Sequence, residues 1–163
     1  MRSGIDIADL LAQHKCDEIA QEIIFSHHNN TKYLGIAFGL LYNLCAESQY
    51  LRIKCLGDSA SQKHQNMLIN NQKNIFSAIV TCLIAYFDLE VLREAVALAS
   101  VLIVEKEKIV WNNKIDELNE QIERLMFSSD VQLAFNCVKY FTNISILNAV
   151  KTHSLITRGK MWK

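Results

Sequence analysis

The side chains best suited to chemistry in this sequence are amides set in apolar helical runs. Asn43 stands in LGIAFGLLYNLC, and Asn143 stands in YFTNIS, 100 residues further on. A carboxamide both donates and accepts, so it pairs with a peptide group in any sequence. Gln132, Asn136, Lys139 and Asn143 are spaced 4, 3 and 4, which puts them on one face of an otherwise apolar helix. The chemistry of such a face is recognition, not bond making. The reactive residue types are scattered by comparison. His27 and His28 are adjacent in a polar turn and point to different sides. His14 and Cys16 lack two further ligands at metal spacing. His64 and Cys55 lie in or beside a polar segment, and no triad pattern includes them. The sequence therefore reads as a non-enzyme with no catalytic residue, no metal site and no cofactor.

Helices must position the amides. The 163 residues are 50% hydrophobic and 21% charged, with no proline and five glycines. That composition fits one globular domain spanning 1–163, built from long helices and short polar turns. Apolar residues recur at helical spacing over Ile5–Leu11 and Asp17–Phe25, which read as one bent helix. Further helices are predicted over Lys32–Ala46 with Thr31 as N-cap, over Gln65–Phe87, and over Leu89–Glu105 with Asp88 as N-cap. In NNKIDELNEQIERLMF, residues Ile115, Leu118, Ile122 and Leu125 share a face. Ser129 and Gln132 form a capping box for Val131–Ile144, and Ser145–Ile156 reads as one more helix, capping the array before a frayed end at 163. Between Glu47 and Lys63 the periodicity dissolves, and an inserted loop is predicted there.

Three of these helices align with one another: YLGIAFGLLYNLC, VLREAVALASVLI and VQLAFNCVKYFTNIS. Ala37, Ala95 and Cys137 coincide, then Leu40, Leu98 and Tyr140, then Leu44, Leu102 and Ile144. The last two helices are 42 residues apart, and the first two are 58 apart, the excess being roughly the polar loop. A period near 42 is the spacing of armadillo and HEAT repeats. AFGLLYNLCAES also resembles the third helix of an armadillo repeat, with NCVKYFTNIS a looser match. The resemblance implies an all-α fold, an armadillo-like right-handed superhelix of about three stacked helical repeats. In that family the asparagine lines a concave groove and holds the backbone of an extended peptide. By resemblance Asn43 and Asn143 would be groove residues, with Val101 in the middle slot. The tryptophan that importin-alpha-like repeats place one turn earlier is replaced by Gly39 and Lys139.

The expected partner-binding face comprises Lys32, Ile36, Gly39 and Asn43, then Glu90 and Glu94, with Ala97 and Val101 aligned, then Gln132, Asn136, Lys139 and Asn143. The competing readings are a merely solvated face and, for Asn43, a buried amide capping a neighbouring helix end. The function expected is an adaptor binding a protein or peptide segment. The alternative is a helical-bundle subunit assembling through apolar helices, as a homo- or hetero-oligomer. The formal net charge is zero, and no aromatic residues interleave with the basic ones, so nucleic acid is not the expected partner. The basic stretch after Asp130 reads as a solubilising tail. The longest apolar run, Ile75–Phe87, is too short for a membrane span. Five cysteines, an odd number without a CxxC pair, point to a reducing, intracellular compartment, cytoplasmic or nuclear.

Overall fold

The computed structural model describes residues 7–27, 29–56, 75–108 and 112–160. Among these residues there are eight α-helices and no strand. They are α1 (Ile7–Gln13), α2 (Cys16–Ser26), α3 (Thr31–Glu47), α4 (Gln49–Leu56), α5 (Ile75–Ala85), α6 (Leu89–Leu102), α7 (Asn112–Leu125) and α8 (Val131–Lys160). A 3-10 segment, Ile103–Lys108, continues α6 through a kink at Glu105.

Local chemistry sets the helix ends. Lys15 takes a left-handed conformation, φ 59°, and divides the first apolar stretch into α1 and α2. Asn30, not Thr31, caps α3, its Oδ1 accepting from the Tyr33 amide at 3.2 Å. Asp88 caps α6 as expected, accepting from the amides of Glu90 and Val91. The N-cap of α8 is Asp130, which accepts from the Leu133 amide at 2.8 Å; Ser129 is not the cap. The two helices expected after residue 131 are one helix, because nothing at Ser145 interrupts it; its hydroxyl bonds back to the Phe141 carbonyl.

Helices α3, α6 and α8 lie side by side with α6 in the middle. Behind them, α2 packs on α3, α5 packs on α6 and α7, and α7 packs on α8. The core runs through both layers. Phe38, Leu41 and Leu44 come from α3, Phe76 and Ile79 from α5, Leu98 and Leu102 from α6, and Leu118 and Ile122 from α7. The aligned residues Ala37, Ala95 and Cys137 are all buried, as are Leu98 and Tyr140.

The segment 47–63 is not a loop over its first half. Residues 49–56 form α4, which buries Leu51 and Cys55; residues 57–63 lie outside the described ones, as do 65–74 and Trp111. The charged residues that masked this helix are engaged. Arg52 donates to the Cys45 carbonyl at 2.7 Å, which caps the end of α3, and reaches Glu105 Oε1 at 3.3 Å. The Lys54 ammonium sits 2.8 Å from Asp17 Oδ2 and 3.0 Å from Glu18 Oε1. Asp17 is fully buried in the first turn of α2, and its attraction raises the Lys54 ammonium above its ordinary range.

Removing one member of a buried ion pair strands the other charge. Lys54→Met should therefore cost about 3 kcal/mol, the lower end for such pairs because Lys54 is partly solvated. A thermal melt should read this as a fall of about 10 °C. The double variant Asp17→Asn with Lys54→Met should recover most of the loss. An unchanged melting temperature in the single variant would refute the pairing.

Candidate partner-binding face

The seam between α6 and α8 is held by side chains gripping backbone. Asn136 Nδ2 donates to the Arg93 carbonyl at 3.0 Å, and Asn143 Nδ2 donates to the Ser100 carbonyl at 2.7 Å. Both bonds span 43 residues, one unit from the 42-residue alignment step. Ser100 lies in the last turn of α6, and Asn143 gives its carbonyl a partner from the neighbouring helix. Asn136 is oriented from its other side, its Oδ1 accepting from Gln132 Nε2 at 3.2 Å. The guanidinium of Arg93 grips the α8 cap a second time, with Nε 2.9 Å from Asp130 Oδ1 and Nη2 on Oδ2. That guanidinium, with the Leu133 amide, lowers the Asp130 carboxyl to a pKa of about 2.

The seam between α3 and α6 is close. A β-carbon placed on Gly35 would lie 3.3 Å from Glu90 Cγ, and one on Gly39 would lie 3.0 Å from Glu94 Oε2. The two glycines, four residues apart, thus form a shelf under two glutamates, also four apart. Partial burial beside Glu90 raises the Glu94 carboxyl above its usual range, against the lowering influence of Arg93. Further along, Lys139 Nζ donates to Tyr42 Oη at 3.2 Å and stands 5.2 Å from the ring centroid. This contact joins the two outer helices of the row across α6 and adds a cation–π attraction.

The face assembles unevenly. Lys32, Ile36, Asn43, Glu90 and Gln132 are exposed; Gly39, Glu94, Lys139 and Asn143 are half-buried; Asn136, Ala97 and Val101 are buried. The amide nitrogens of Asn136 and Asn143 are spent on α6, whereas Asn43, which the competing reading makes a buried helix-end cap, is exposed. Tyr42, Gly35 and the Arg93–Asp130 pair were not singled out from sequence. Paired glycines at i and i+4 in an apolar helix were the available sign of close approach. No group of three histidine, cysteine or acidic side chains suited to a metal occurs among the described residues, and no helix there is long and apolar enough to cross a membrane. Comparison with protein-family models, curated proteins and solved structures gives no significant match.

Two measurements check this geometry. Asn136→Ala and Asn143→Ala each remove the partner of an interhelix carbonyl and should cost about 1–2 kcal/mol, whereas Asn43→Ala should stay within about 0.5 kcal/mol. Chemical denaturation of the three variants should rank them in that order. A costly Asn43→Ala beside a neutral Asn143→Ala would contradict the assigned bonds. The second concerns pH. A carboxyl whose folded pKa is raised holds its proton more tightly when folded, so its contribution to stability declines as pH rises through that region. Glu94→Gln should therefore raise the melting temperature at pH 7, and the gain should vanish below the ordinary carboxylate range. A gain that persists in acid would point to packing instead of charge.

Proposed function

We propose that the chain is a non-enzymatic adaptor, an armadillo-like right-handed superhelix that binds a segment of a partner protein along the face of α3, α6 and α8. The observation that carries this reading is the side-by-side order of the three helices that align in sequence. That order turns three separate polar stripes into one strip of mixed character. Exposed Lys32, Glu90 and Gln132 supply charge and hydrogen bonds, Ile36 supplies apolar surface, and the Gly35–Gly39 shelf leaves the α3–α6 seam shallow. Mixed strips of this kind suit an extended segment, whose side chains alternate while its peptide groups need partners throughout. The amide left unspent for such a segment is Asn43, with Gln132 offering the second hydrogen of a nitrogen that already donates to Asn136, since Asn136 and Asn143 hold α6.

Peptides selected from a random library on the immobilised chain test the proposal. They should protect residues of α3, α6 and α8 from hydrogen exchange. The variant Glu90→Lys with Gln132→Ala should weaken them about tenfold or more, equivalent to roughly 1.4 kcal/mol, with little change in melting temperature. Protection confined to α1 or α7, or affinity indifferent to the double variant, would overturn it.

A further inference from the structure

The row α3–α6–α8 has two ends, and each end presents the aligned counterpart of a seam that is closed inside the chain. The side of α6 that receives α8 carries Arg93 and Ser100, whose carbonyls accept from Asn136 and Asn143. Moved by the 42-residue step that aligns Ala95 with Cys137, Arg93 becomes Phe135, Val96 becomes Val138, Ser100 becomes Thr142 and Leu89 becomes Val131. These four lie on α8 and are exposed: Val131 by 83%, Phe135 by 61% and Val138 by 52%, with Thr142 also open. Both hydroxyls bond back into their own helix, Ser100 Oγ to the carbonyl three residues before it and Thr142 Oγ1 to the carbonyl four before. At the other end, Asn43 and Ile36 of α3 align with Asn143 and Asn136 of α8. Ile36 is 56% exposed, and the Asn43 side chain is exposed and makes no hydrogen bond among the described residues.

We propose that a second copy of this chain docks its α3 on α8 of the first, head to tail. Asn43 then donates to the second lone pair of the Thr142 carbonyl within α8, as Asn136 does to the Arg93 carbonyl within α6, and Ile36 packs beside Phe135. The charge pattern permits a second copy. Between Asp130 and Lys151 the only charged residue of α8 is Lys139, already engaged by Tyr42, so the receiving face is uncharged. The docking face brings one cation, Lys32, and one anion, Glu47, at opposite ends of α3, and neither meets a like charge on the receiving face of α8. The contact stretch of α8, residues 131–142, is about 17 Å long, which makes a small interface and a weak, micromolar or weaker association. A head-to-tail contact uses different faces on the two copies, so each added copy leaves a free face at both ends and growth continues past the dimer.

Sedimentation equilibrium of the whole chain from about 5 to 500 µM tests this range of affinity. The expected result is an average mass that rises past the dimer with concentration. Ile36→Glu and Phe135→Glu sit on opposite faces. Each should weaken association at least tenfold, with a circular dichroism spectrum like that of the parent. Mixed in equal amounts, the two variants should form a dimer and nothing larger, since each retains the face the other lacks. If Phe135→Glu misfolds, Val138→Lys replaces it on the same face. A chain that stays monomeric throughout overturns the proposal, as does an Ile36→Glu variant that still dimerises while Phe135→Glu does not, which is the signature of α8 pairing with itself.

Discussion

From Ala95 to Leu102 every residue of α6 is buried, as is Ile103 just after it, and the rest of the molecule follows from that constraint. A helix without a solvent face is stable only with a neighbour on each side. Here α3 and α8 flank it and α5 packs behind. Its alanines at 95, 97 and 99 and the glycines of α3 at 35 and 39 let the helices approach closely. Close approach brings the main chain of α6 within reach of a short side chain from α8. Asparagine fits, having a donor that a helix carbonyl can accept on its second lone pair. Small residues and amides are therefore one arrangement: the first sets the distance and the second satisfies the backbone that the distance exposes to its neighbour instead of to water.

The same constraint explains which parts of the fold were legible. The helices α3, α6 and α7 follow from apolar periodicity because each buries a continuous stripe, and Asp88 declares its cap through its own side chain. Helix α4 was not legible. It buries only Leu51 and Cys55, and its charged residues look like loop until their partners are known. Those partners, Glu105 for Arg52 and Asp17 for Lys54, are 53 and 37 residues away in sequence. Distance also misdirected the cap of α8. Ser129 and Gln132 satisfy the local pattern, but Asp130 offers the same amide bond and a carboxylate that Arg93 of α6 can hold. A tertiary ion pair decided between two locally adequate caps.

For the candidate face, sequence located the row of positions but not the direction in which each amide points. Spacing of 4, 3 and 4 fixes a face of α8, and the structure turns two of its members, Asn136 and Asn143, toward α6. Periodicity cannot tell a face turned to solvent from one turned to a helix of the same layer, because both lie beside the core stripe. Burial of the neighbour is what separates them, and burial is a property of the assembled row.

An asparagine in such a helix is a reader of main chain, and the residue alone does not specify whose main chain it reads. The geometry of donor and carbonyl is the same for a peptide lying on the row and for the next helix within it. What differs is the chain's position in the row. Asn143 has α6 on the relevant side and is consumed there. Asn43 occupies the aligned position on the helix that has no such neighbour among the described residues, and its side chain stays open. The feature that first set these residues apart, an amide in an apolar helix, is thus used in the structure at one of its two places. At α8 it holds the backbone of α6, and at α3 the amide is left able to hold another backbone.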